Sequence, residues 1–435
     1  MIARLAAVAG LLAVMLAACG GDDTREPASG PPAQALTAAN CSPITYGGPG
    51  RPRFLIVNSS GYQGPYKGHG VQTAQAMKMV LAQHGWRAGP YTVGMQACEE
   101  TSAETGRPSP AKCARNARAF AENRSVLALV GPLTSNCAVH MLAILNKAPG
   151  GPLATISGGN TYVGLTRSGP GTAAGEPARY APTGRRGYAR MMPADDVQGA
   201  AVALLARRLK LTRAFVVDDR SSYGRGLAAA YRVAAERLGL GVVGTAHWEP
   251  DARDYRALAA RVRAARPQTV FVAGDVAANG PKLIADLTAV LGPDVHVMAG
   301  DSFNQPASLV EAAGAGAEGL RISIAVLPTR NLPPAGRRFA AEFERRFSQR
   351  PCCASVHDAQ ATEILLDAIA RSGGSRARVA EAVMRTKVRG GLVGDFAFDH
   401  NGDTTLTTEG IYRIKGGRLV FETAITPSPE LLGHG

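Results

Sequence analysis

"FLIVNSSGYQGPYKGHG", residues 54–70, decides how the chain is read. Its opening "FLIVN" predicts a strand. A loop follows in which Gly61, Gly64, Gly68 and Gly70 recur. The stretch Val71–His84 then predicts a helix, with a stripe at Val71, Ala74, Met77 and Leu81 and a stop at Gly85. Strand, glycine loop and helix open many nucleotide-binding folds. Here the loop spacing is G-x-x-G-x-x-x-G-x-G, with no G-x-G-x-x-G and no Lys-Ser/Thr pair of a P-loop, so phosphate binding lacks its specific signal.

The alternation continues outward from this unit. "YTVGM" predicts a second strand, a helix runs through Cys113, Ala117, Phe120 and Ala121, and "SVLALVG" predicts a third strand. "AVHMLAIL" is helical and "PLATIS" strand-like. After a Gly/Pro/Arg-rich loop over 167–188 the pattern restarts. "DDVQGAAVALLARRL" opens with Asp residues suited to an N-cap. "AFVVDD", "VVGTAHW", "TVFVAG" and "VHVMAG" then alternate with helices over 223–238, 254–265 and 279–291. Regular alternation of this kind predicts parallel sheets covered by helices on both faces, and the restart near 190 predicts two of them. A helical stretch, 335–386, belongs to one of the two. "IYRIKGGRLVFE" predicts an antiparallel hairpin about Gly416-Gly417.

The N-terminus sets the compartment. Met1–Arg4 is a short basic region and Leu5–Leu16 an apolar run of signal-peptide length, too short for a membrane span. "LAAC", Leu16–Cys19, resembles a bacterial lipobox, so 1–18 is expected to be a lipoprotein signal and Cys19 the lipidated residue. Residues 19–40, rich in Gly, Pro, Ala, Asp and Thr, are expected to form a flexible tether. This predicts an extracytoplasmic protein held to the cell membrane by an N-terminal lipid. The remainder, roughly 390 residues, suggests two domains or one large one. The formal charge is +14. The Arg residues are dispersed, which favours a solvated basic surface over an anionic-polymer site, and nucleic acid is not an expected partner outside the cell.

Six cysteines follow Cys19, an even number that suggests disulfides in an exported chain. Cys98 and Cys113 flank a polar loop and could close it, with Cys41–Cys137 as a second pairing; Cys352 and Cys353 are adjacent and left unassigned. With no C-x-x-C and no H-E-x-x-H, neither a metal nor another cofactor is expected.

In open parallel sheets ligands bind beyond the carboxyl ends of the strands. The loops there are "GPLTSN", 131–136, and "SGGNTYVGLT", 157–166, which offer hydroxyls and backbone N–H groups suited to a small carboxylate. Ser135 and Thr161 could equally be helix caps.

Together these segments resemble the type I periplasmic binding proteins, in particular the branched-chain amino acid (Leu/Ile/Val) binding lipoproteins of ABC transporters. The resemblance runs from about Phe54 to Glu422. It is carried by "SGYQGPYKGHG", "GPLTSN", "ISGGNTYVGLT", "RMMPADDVQGAA", "DDRSSYGRGLA", "AGDSF", "GAEGL" and "GDFAFDHNGD" in that order. It implies an α/β fold of two Rossmann-like lobes with parallel sheets joined by three crossovers. The boundaries it suggests are 41–191 with 326–395 for the N-terminal lobe and 192–325 with 396–426 for the C-terminal lobe. It implies a binding protein rather than an enzyme, a monomer that captures an amino acid between its lobes and delivers it to permease subunits. Another small carboxylate or amide as ligand, or a sensor on the same fold, is the alternative. Carried over residue by residue, Ser135 and Thr161 would hold the ligand's α-carboxylate beside the backbone of Gly159. Asp301 would pair with its α-ammonium, and Tyr66 and Tyr223 would close over it. Two departures stand out. Many relatives have Ser-Pro where this chain has Ser157-Gly158, which with Gly159 predicts a roomier or more mobile pocket floor. Asp275 stands where an aromatic residue is common, which predicts either a polar ligand or a residue facing water.

Overall fold

The computed structural model describes residues 30–37, 40–352 and 354–433. The expected signal peptide, Cys19, most of the tether and Cys353 lie outside these residues.

The first sheet has six strands: β1 (Phe54–Ser60), β2 (Arg87–Ala88), β3 (Tyr91–Glu99), β4 (Val126–Val130), β5 (Ala154–Ser157) and β6 (Tyr188–Arg190), in the order β2-β3-β1-β4-β5-β6. All pairings are parallel except that of the two-residue β2 with β3. β1 is buried along its whole length because helices cover both faces. Ile56 points into one core, with α1 (Lys67–Gln83); Leu55 and Val57 point into the other, with α2 (Pro110–Glu122) and α3 (Ser135–Asn146).

The second sheet holds β7 (Arg213–Asp218), β8 (Gly241–His247), β9 (Thr269–Ala273), β10 (His296–Ala299) and β11 (Arg321–Ile324) in parallel. It repeats the same two-sided logic. Phe215 and Val217 face one core, with α6 (Arg256–Ala264), α7 (Gly280–Leu291) and α8 (Pro306–Ala313), while Ala214 and Val216 face another, under α4 (Asp195–Arg208) and α5 (Ser222–Arg237). The sheet order, β15-β14-β11-β10-β9-β7-β8, ends in the hairpin β14 (Glu409–Lys415) and β15 (Arg418–Ile425), turned by Gly416 and Gly417 at positive φ.

The helical stretch expected over 335–386 is three helices, α9 (Pro334–Phe347), α10 (Ser355–Ala370) and α11 (Arg376–Met384). All three join the first lobe's core: α10 and α11 lie on the first sheet, and α9 packs on α1 and α10. A small ribbon, β12 (Lys387–Gly391) with β13 (Gly394–Ala397), follows them. Phe396 and Phe398 belong to the first lobe's core. The last crossing therefore lies beyond Phe398, a few residues after the boundary expected at 395/396. The chain crosses between lobes three times: after β6, after β11 and after β13.

Three local expectations are corrected. The tether stops short of residue 40, because Ala33 and Leu36 are buried in the first lobe and the Leu36 N–H donates to Gln96 Oε1 at 2.9 Å. The disulfides join the same four cysteines with partners exchanged, as Cys41–Cys98 and Cys113–Cys137. Cys41 bridges antiparallel to Cys98 on β3, and Cys113 on the inner face of α2 meets Cys137 in the first turn of α3. Sequence adjacency across a loop did not reveal which faces these elements turn to one another. Finally, Asp195 and Asp196 do not cap α4: its N-cap is Ala194, and Asp196 accepts from Arg167 instead.

Candidate functional site

Each sheet reverses its winding direction once, beside β1 in the first and beside β7 in the second. The loops leaving those strands and their neighbours face one another across a cleft of about 710 Å³, counted to its open mouth. All six residues singled out from sequence line this cavity: Tyr66 after β1, Ser135 after β4, Gly159 and Thr161 after β5, Tyr223 after β7 and Asp301 after β10.

The glycine loop delivers Tyr66. Gly70 lies so close under Gly61 that a Cβ there would sit 2.2 Å from the Gly61 carbonyl oxygen. This folds the loop back and sends Tyr66 across the cleft. The Tyr66 hydroxyl donates to Asp275 Oδ1 (2.6 Å) and lies 2.9 Å from Ser302 Oγ, both on the second lobe. From the other side, the Tyr223 N–H donates to Asn136 Oδ1 at 3.3 Å. Tyr66 and Leu133 pack into the second lobe's core, so the lobes stand closed on one another.

Capping does not explain Ser135 or Thr161. Thr134 is the N-cap of α3, accepting from the Cys137 N–H at 3.2 Å. Ser135 Oγ instead accepts from the N–H groups of Thr161 and Tyr162, each at 3.2 Å. With its acceptor capacity engaged, the hydroxyl proton is left to donate. Thr161 Oγ1 is buried with no hydrogen-bond partner among the described residues. Glu100 holds this turn from behind: its carboxyl accepts from the Leu133 and Thr134 N–H groups at 3.1 and 3.0 Å, and burial raises it to about 7.

The glycines at the pocket floor are filled-space residues. A Cβ on Gly158 would lie 2.0 Å from Asp358 Oδ1, and one on Gly159 would lie 2.5 Å from the Leu133 carbonyl oxygen. The expected roomier floor is thus occupied by Asp358 and Leu133. Asp275 does not face water either. It is buried, accepts from Tyr66 and from the Ala277 N–H (2.8 Å), and burial lifts its carboxyl to about 6.

Opposite the hydroxyl wall, Asp301 accepts from the Tyr223 hydroxyl at 2.6 Å. Sequence reasoning missed its neighbours. Gln198, one turn into α4, donates to the Ser323 carbonyl at 2.9 Å, while Glu409 at the head of β14 accepts from the Ser323 hydroxyl at 2.8 Å; both line the cleft. Asp195 lies fully buried behind them. Burial first, and then repulsion from Asp301, raises both Asp195 and Glu409, the latter to about 8. Asp301 itself is raised by burial.

This has a consequence for stability. An unfolded glutamate ionises near 4.5, whereas Glu409 in the folded chain keeps its proton to about 8. Folding stability contributed by this group is complete below about 4.5 and is lost as pH climbs towards 8. The ligand-free protein is expected to unfold at lower urea at pH 8 than at pH 5. Glu409→Gln should shrink that drop, leaving the share owed to Glu100, Asp275, Asp195 and Asp301; an unchanged drop would show that Glu409 ionises normally.

Among the described residues no His/Cys/Asp/Glu group is arranged to hold a metal, and no helix is long and apolar enough to cross a membrane. Two α/β lobes closed on a polar cleft, with hydroxyls on one wall and a carboxyl on the other, define a solute-binding protein. The periplasmic binding protein family matches residues 60–418, and the chain belongs to it. It is 24% identical over 296 residues to the Leu/Ile/Val-binding protein homolog 3 of Brucella melitensis, covering 67% of this chain and 74% of that one. Its fold is that of a leucine binding protein of Thermotoga maritima (TM-score 0.73, 21% identity, 86% of this chain and 99% of the other). It is also that of a Rhodopseudomonas palustris solute binding protein in complex with benzoate (TM-score 0.69, 18% identity, 88% and 99%). The family consists of extracytoplasmic substrate-binding proteins that serve ABC transporters.

Proposed function

We propose that this chain captures an α-amino acid between its lobes and delivers it to an ABC permease. The observation that carries the reading is the pairing of opposite chemistries in one cavity: the Ser135 hydroxyl and the orphaned Thr161 hydroxyl on one wall, the Asp301 carboxyl on the other. An α-carboxylate suits the first and an α-ammonium the second. A zwitterion bound to both lobes draws the open–closed equilibrium towards the closed form, by as much as its affinity for the two differs. A lone aromatic carboxylate such as benzoate satisfies only the first wall, and no Lys or Arg lines the cavity to balance its charge.

The test is a thermal-shift screen of the purified chain against the L-amino acids and a set of small carboxylates and amides. Branched-chain acids come first, given the Leu/Ile/Val-binding relative. A ligand at 100 times its Kd should stabilise the protein by about 2.7 kcal/mol. Shifts with carboxylates or amides but with no amino acid would overturn the proposal.

A further inference from the structure

The cavity is electrostatically lopsided. Asp275, Asp301 and the protonated Glu409 line it, and no Lys or Arg does, in a chain whose formal charge is +14. The acidity is therefore a property of the site and not of the composition. His69, the histidine of the lining, lies 3.8 Å from the Asp358 carboxylate, which already faces it.

A second observation points the same way. Two buried side-chain oxygens of this lining, Gln198 Oε1 and Thr161 Oγ1, have no partner among the described residues, and both can accept. Unsatisfied buried acceptors are costly, and they call for a ligand rich in N–H groups. One α-ammonium beside Asp301 supplies three.

It leaves Asp275, a separate carboxyl of the lining that follows β9 and is joined to Ser302 through the Tyr66 hydroxyl. The Tyr66 hydroxyl and the Ala277 N–H both donate to Oδ1 of that carboxyl. With burial lifting it only to about 6, Asp275 is mostly ionised above neutral pH. An aliphatic side chain lying against it would leave that charge buried and unbalanced. A cationic one would balance it.

We infer that the cleft takes an α-amino acid whose side chain ends in a cation, with Asp275 as the residue that selects it. This rests on the amino-acid reading above. L-arginine and L-citrulline test it, because they share shape and hydrogen-bonding reach and differ in side-chain charge. By calorimetric titration of the full chain at pH 7.5, arginine is expected to bind at least about tenfold tighter than citrulline, a difference of about 1.4 kcal/mol. Asp275→Asn keeps an acceptor for Tyr66 and is expected to bring the two within about twofold of each other.

Citrulline binding as tightly as arginine, or L-leucine binding tighter than arginine, would overturn the inference and leave the amino-acid reading standing. Equal losses of arginine and citrulline in Asp275→Asn would overturn the role of Asp275. Binding of none of the three amino acids would overturn the inference, and the amino-acid reading falls with it only if no L-amino acid shifts the melting temperature.

Discussion

Replacing Asp301 with Ala is expected to weaken amino-acid binding by about 30- to 5,000-fold, while the ligand-free protein melts no more than a few degrees below wild type. The first half follows from what the ligand loses. Truncating one partner of a buried, hydrogen-bonded charge pair costs about 2–5 kcal/mol, because the other charge is left facing nothing. The second half follows from what the protein loses. Asp301 opens a short 3₁₀ turn; its carboxyl accepts from the Tyr223 hydroxyl at 2.6 Å and is eased by Gln198 and the Ser302 N–H. Losing the Tyr223 bond costs about 1 kcal/mol. Against this, Asp195 and Glu409 are freed from a repelling neighbour. Asp301→Asn separates charge from shape: it can still accept from Tyr223 but cannot pair with an ammonium. The amino acid giving the largest thermal shift with wild type is titrated into both variants. Wild-type affinity in Asp301→Asn would remove the ammonium role, and a collapsed melting curve in Asp301→Ala would mean the residue is structural.

The architecture was legible because its signal is repeated. Each buried parallel strand is a short apolar run, each covering helix has its own stripe, and the restart near 190 marks the second lobe. Pieces lacking such a signal were not legible. β6 and β11 are three and four residues long and flanked by loops, and β12 with β13 is a Gly-rich ribbon whose Phe396 and Phe398 alone betray its lobe. Charge was the least legible property. Dispersed arginines suggest a solvated surface, yet Arg190 and Arg376 are buried. Arg376 spends its guanidinium on the carbonyl oxygens of Phe120 and Ala121 at the end of α2 and of Val126 at the start of β4, a role that no neighbouring residue in the sequence announces. The site divides in the same way. Tyr66, Ser135, Gly159, Thr161, Tyr223 and Asp301 sit at strand ends, where position alone makes them candidates. Glu409 heads an antiparallel strand after the last crossing, and Gln198 lies on an Ala-rich helix. Only the return of the chain through the hinge carries them to the cleft.

That hinge is where the largest loss of stability is expected. Asp403→Ala should destabilise the folded chain by about 3–5 kcal/mol, a large share of the 5–15 kcal/mol typical of a domain. Arg190, the last residue of β6, is fully buried; its Nε donates to Asp403 Oδ1 at 2.7 Å and its Nη1 to the Tyr162 carbonyl at 2.8 Å. Arg167 donates to the other Asp403 oxygen at 2.7 Å and to Asp196 Oδ2 at 2.9 Å. Burial opposes ionisation of Asp403, but Arg190 and Arg167 overcome it and hold the carboxyl below its ordinary range. Asp403 sits on the last crossing and Asp196 just beyond the first, so the four charges tie two of the three hinge strands together. Removing Asp403 leaves the Arg190 guanidinium buried opposite one carbonyl and one hydroxyl. The double variant Arg190→Met/Asp403→Leu removes both charges and is expected to recover much of the loss, the mark of an unbalanced charge as opposed to lost packing. Binding should weaken as well, since Arg190 lies five residues before Asp195, whose N–H donates to the Thr161 carbonyl at 2.8 Å and so fixes one wall of the cleft. Urea unfolding of the three proteins decides the matter. If Asp403→Ala unfolds at the wild-type midpoint, or the double variant is no better than the single, the hinge is held by packing and the ion cluster is incidental to it.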